Sequence, residues 1–115
     1  MTDRERFVST VIESMKDKAP QFTLMDGYGG APDDGAIILP FYLWDRVGEE
    51  APQVTSIHVV ASEREIMMNQ GFIEQLAAAK VANALCAFEA NHPANAVVIS
   101  EAEAKRITLE MADAA

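Results

Sequence analysis

Cysteine is almost missing from this chain of 115 residues, with Cys86 the only one. No intrachain disulfide can form, and a multi-cysteine metal site is excluded. Long apolar runs are missing as well: nothing approaches the roughly 20 residues needed to span a bilayer. The first residues, Met1 to Arg6, are mostly charged, and no apolar segment of a secretory signal follows them. The expectation is therefore a cytoplasmic protein without a membrane anchor. Basic residues are scarce, 9 against 18 acidic, for a net charge of −9. That balance speaks against direct nucleic-acid binding, which needs a surplus of Lys and Arg at the phosphates, and against an anionic membrane surface. An acidic inhibitor that mimics nucleic acid toward a basic partner is the opposite idea. It would need the carboxylates to converge, but the charge is spread evenly: 7 acidic and 4 basic groups in residues 1–35, 5 and 2 in 36–71, 6 and 3 in 72–115.

Apolar residues, by contrast, make up half of the chain. That is enough for the core of one domain of this length and too many for a disordered chain. Their spacing predicts the elements. Thr2 and Glu5 have capping-box spacing, and Phe7, Val8, Val11, Ile12 and Met15 then recur with helical period up to a stop at Pro20. Residues 21–25 are a short strand candidate. In 36–44, Ile37, Leu39, Phe41 and Leu43 alternate onto one face, with Tyr42 and Trp44 on the other. Pro40 within this run points to an edge position or a local break. In 54–61, Ile57 and Val59 share a face, and the two runs read as an antiparallel pair. Ser62 and Glu65 repeat the capping-box spacing, and the Asn69-Gln70-Gly71 step is a place to kink or interrupt the helix they open. A strong helix over 72–90 ends at Asn91-His92-Pro93. A short strand at 96–100 and a helix with Ala104, Ile107 and Met111 on one stripe complete the chain. The expected fold is a single α+β domain, residues 1–115. Its small, mainly antiparallel sheet carries an N-terminal, a long central and a C-terminal helix on one face.

Few residues point to chemistry. Gly27-Tyr28-Gly29-Gly30 opens like a dinucleotide fingerprint, but Pro32 stands where the third glycine belongs and no helix follows. Asp26, Asp33 and Asp34 lack the alternation of a calcium loop. Two histidines, His58 and His92, have no regular spacing to carboxylates, so no metal or other cofactor is expected. His92 suits a helix C-terminus without any ligand. Asp45 with Glu49 and Glu50 is the kind of carboxylate group any acidic protein offers. Cys86 lies among alanines and is expected to be buried as a small apolar residue. A small enzyme using His58 with Asp26 or Glu63 is the catalytic alternative.

The glycine-rich loop is the better candidate for a binding surface, through Tyr28, Gly29, Asp33 and Asp34, joined by Tyr42 and Trp44 from the adjoining strand. The helix over 72–90 is unusual in having only five polar side chains: Glu74, Gln75, Lys80, Asn83 and Glu89. Ile73, Ala77, Val81, Ala84, Leu85 and Phe88 form one apolar face. Ala79, Ala82, Cys86 and Ala90 form a second face, of small residues, that another helix could approach closely. Either a terminal helix of the same chain covers it or a second copy does across a two-fold axis. The functional expectation is a non-enzymatic binding or assembly protein, a chaperone, regulator or inhibitor, whose partner is a protein and which self-associates if the second face is uncovered.

Overall fold

Side-chain caps start three of the four helices among the described residues. In the computed structural model, which describes residues 2–25 and 35–114, helix α1 runs from Asp3 to Lys18. The Thr2 hydroxyl accepts the Glu5 N–H at 3.1 Å. Helix α2 (Glu63–Met68) has the full reciprocal box: the Ser62 hydroxyl accepts the Glu65 N–H, and the Glu65 carboxylate accepts the Ser62 N–H. Helix α4 (Glu101–Ala114) begins with the Ser100 hydroxyl accepting the Glu103 N–H. Helix α3 (Ile73–Asn91) has no side-chain cap and follows the break at residues 69–71. The Lys80–Glu65 ion pair, at 2.5 Å, ties α2 to α3 across that break.

Strands β1 (Thr23–Leu24), β2 (Ile37–Val47), β3 (Gln53–Ala61) and β4 (Ala96–Ile99) form one antiparallel sheet. β2 is its axis. β3 pairs along its whole length, from Ile37 opposite Ala61 to Asp45 opposite Gln53. β1 and β4 share the other side of β2, opposite residues 41–42 and 44–47 respectively. Gly48, at φ +54°, supplies the left-handed step in the turn out of β2.

The period-two pattern is realised on the inner face. Ile37, Leu39, Phe41, Leu43 and Val59 are buried there, with Ile57 partly buried at the margin. Phe7, Val11 and Met15 of α1 and Ile73, Ala77 and Val81 of α3 close over them. Each fully buried side chain of this size contributes about 1.5–3 kcal/mol, so this layer carries most of the driving force for folding.

Two expectations are corrected. Pro40 lies neither on an edge strand nor at a break. It sits within the central strand, where its carbonyl accepts the Met25 N–H at 2.9 Å. A residue's N–H and C=O point to the same side of a strand, so the donor that proline lacks would face the end of β1 and not the long β3 ladder. The C-terminal helix does not join the other two. α4 contacts β2, yet its buried residues, Ala104 and Ile107, belong to no part of the core beneath α1 and α3. It therefore packs on the opposite face, which accounts for the half-burial of Tyr42 and Trp44 there. Met111, a turn beyond Ile107, is exposed, so only the first part of the expected stripe is covered.

Candidate binding groove and its Asp–His anchor

β2 extends past Trp44, and its alternation carries Asp45 inward as the chain's buried charged residue among those described. A carboxylate in that position is costly unless it is paired and hydrogen-bonded. Both conditions are met. The Thr55 hydroxyl, from the facing strand, donates to Asp45 Oδ2 at 2.8 Å. His92, the residue that closes α3, places Nε2 at 2.5 Å from the same oxygen. An ionised carboxylate only accepts, so Nε2 carries the shared proton. Phe88, one helical turn before His92, stacks on its ring with centroids 4.5 Å apart. Phe22 meets Phe88 edge-on at 5.1 Å. An aromatic chain therefore leads from the core to a polar anchor that pins the end of α3 to β2 and β3.

The anchor closes one end of a groove of 390 Å³ between β3 and α3. Residues 55–58 form one wall, and Ala84, Ala87, Phe88, Asn91 and His92 form the other. A smaller cavity of 160 Å³, lined in part by Asp45, Glu50 and Gln53, lies on the far side of Thr55 and Pro93, which border both. The groove thus runs beside β3, whose second edge has no neighbouring strand among the described residues.

The structure disperses the residues singled out from the sequence. Tyr28, Gly29, Asp33 and Asp34, with Asp26, lie outside the described residues. Tyr42 and Trp44 point away from the groove, and the Trp44 indole N–H is buried without a hydrogen-bond partner among the described residues. Ala79, Ala82, Cys86 and Ala90 are all exposed along α3. Cys86 is thus corrected from a buried to an exposed thiol, because neither terminal helix crosses the outer side of α3. His58 is exposed on the face of the sheet away from the core and has no hydrogen bond or ion pair among the described residues, Glu63 included.

The histidine that does meet a carboxylate is His92. The sequence reading misses it because the alternating run over 36–44 stops short of Asp45. One more alternation would have turned Asp45 inward and raised the question of its partner. Among the described residues, no group of three His, Cys, Asp or Glu side chains could hold a metal ion, and no helix is long and apolar enough to cross a membrane. No protein family, characterised protein or solved structure matches the chain in sequence or fold comparison.

Proposed function

We propose that this chain is a non-enzymatic assembly protein that receives an extended segment of another polypeptide along β3. The observation that carries the reading is the outer edge of β3, nine residues long and unpaired among the described residues, beside a groove walled by α3. Strand addition draws its affinity from main-chain hydrogen bonds and its selectivity from side-chain pockets next to the edge. Here the edge would supply the first and the groove the second. The Asp45–Thr55–His92 anchor holds the two walls at a fixed separation, so the site needs little ordering on binding.

Photo-crosslinking tests this. A photoreactive residue at position 56, introduced in cells of the native source, should give a covalent adduct with a polypeptide. The same label with His58→Pro should give much less, because proline removes a donor from the edge. Absence of any protein adduct, or an adduct indifferent to His58→Pro, would sink the reading.

A second reading, acid–base catalysis, has one observation in its favour: the buried Asp45 carboxylate against His92 at the end of a groove. It predicts that His92→Gln lowers biological activity by about a hundredfold or more, the usual loss on removing a general base. The binding reading predicts a change that follows stability alone.

A further inference from the structure

Backbone direction along β2 fixes what β3 offers to solvent. The bond from Met25 N–H to Pro40 O turns the even-numbered residues of β2 toward β1 and β4, and the odd-numbered ones toward β3. With Phe41 opposite Ile57, the odd-numbered residues of β3 face β2. Val54, Ser56, His58 and Val60 therefore aim their N–H and C=O groups outward, and among the described residues none of these groups has a backbone partner.

Exposed edges of this kind are normally blunted by shortness, charge, proline or a bulge. β3 has none of these. Its sequence, from Gln53 to Ala61, contains no Asp, Glu, Lys, Arg or Pro, and its register with β2 runs unbroken.

We propose that the segment received by β3 is the β3 strand of a second copy of this chain, paired antiparallel about a two-fold axis at Ile57. The proposal rests on the strand-addition reading above and names its partner. Four observations converge on it. First, a register centred on Ile57 overlaps the whole strand, from Gln53 to Ala61; any other register that keeps the two inner faces on the same side shortens the ladder.

Second, that register matches all the outward groups. Val54 meets Val60 of the second copy and Ser56 meets its His58, apolar with apolar and polar with polar, closing about eight main-chain bonds at two per hydrogen-bonded pair. Third, a chain with net charge −9 repels its own copy, and β3 is a stretch of surface without charged side chains on which two copies can meet.

Fourth, α3 walls the groove beside the edge, and next to Phe88 and His92 it turns the small residues Ala84 and Ala87 to that side. Paired strands are about 4.8 Å apart, whereas packed helices need roughly 8–10 Å. Small residues on the flank of α3 are what the two-fold requires, and Ala84 and Ala87 supply them. A specific interface buries about 1,000 Å² or more in total, so the flanks of the two α3 helices must add to the strand edges.

Sedimentation of the purified full chain, with its Ser56→Lys and Ser56→Pro variants, tests the proposal. Position 56 faces solvent, so neither variant removes a bond to β2, and the lysine variant serves if proline disturbs the strand. Wild type should sediment as a dimer, and both variants as monomers with unchanged circular dichroism. Register is read by disulfide formation in a Cys86→Ser background. Ser56→Cys mixed with His58→Cys should cross-link on oxidation, and Ser56→Cys alone should not.

A wild-type monomer at high micromolar concentration overturns the proposal, as does a dimer that survives both Ser56 variants or one whose mixed cysteines fail to cross-link. In any of these cases strand addition itself stands if the photo-label at position 56 finds a different protein, and falls with it if the label finds none.

Discussion

The two edges of the sheet are built in opposite ways. On the β1/β4 side, β2 is flanked by strands of only two and four residues. Proline occupies the position opposite Met25, and α4 follows directly on β4. Shortness, a missing donor and a neighbouring helix each discourage another strand from adding there. On the β3 side a strand of nine residues runs uncharged and unbroken, with no strand beside it among the described residues. The difference is what the proposed strand addition rests on: one edge is protected by several means, and among the described residues the other is bare, with its main-chain groups in regular array.

The comparison breaks most sharply if proline is placed one residue away from where the edge tolerates it. Ile57 faces β2, so Ile57→Pro removes a ladder donor, leaves the Phe41 carbonyl unpaired and empties a partly buried site. A loss of about 3 kcal/mol or more is expected in denaturant unfolding, against less than about 1 kcal/mol of monomer stability for Ser56→Pro next to it. Equal losses at the two positions would show that the assignment of inward and outward groups is reversed. Next in size is the anchor that joins α3 to both strands. His92→Ala leaves the Asp45 carboxylate buried without its strongest partner and should cost about 2–4 kcal/mol. Asp45→Asn combined with His92→Ala should recover part of that loss, which a double-mutant cycle would read out.

Smaller effects sharpen the contrast on the outward face. His58→Ala removes an exposed ring that has no described partner, so monomer stability should move by less than about 0.5 kcal/mol. Any larger effect should appear only in the proposed dimer, through loss of the Ser56–His58 contact that the two-fold would create, and would show as a concentration-dependent shift of the midpoint.

The smallest effect lies at the α2–α3 junction. The hydrogen bond and charge of Lys80, together with the Ser62 N–H, hold the Glu65 carboxyl below the usual range. A lowered folded-state value means that the pair stabilises the fold above the unfolded value of about 4.3 and ceases to do so as pH falls through the lowered one. Glu65→Gln should therefore lower the melting temperature slightly at neutral pH, and the gap should close in acid. The groups are part-exposed, so salt should also narrow it. A gap that widened in acid would contradict the assignment.

Much of this fold was legible in one dimension because its signals are local. Capping pairs at Thr2 and Ser62 fix helix starts within a single turn of chain. Alternation at Ile37, Leu39, Phe41 and Leu43 fixes an inner face because a strand has a period of two. The four small residues of α3 were legible as a separate face for the same reason, since helical spacing alone sorts Ala79, Ala82, Cys86 and Ala90 away from Ile73, Ala77 and Val81. Local pattern does not reveal which neighbour, if any, covers a face. Cys86 was expected inside and lies outside because that depends on where α1 and α4 go. Pro40 reads as an edge position or a local break because sequence does not show which side of the strand its missing donor faces.

Sequence by itself therefore determined the elements, their order, the inner face of the sheet and the even spread of a net charge of −9. Each of these follows from interactions between residues close in the chain or from simple composition. Tertiary structure alone decided that Asp45 meets His92 across 47 positions, that α4 crosses to the opposite face and that β3 stands at an open edge. These depend on how separate elements stack, where the energy lies in burial and pairing over long loops, and no short-range periodicity encodes which of two sides a returning strand will take.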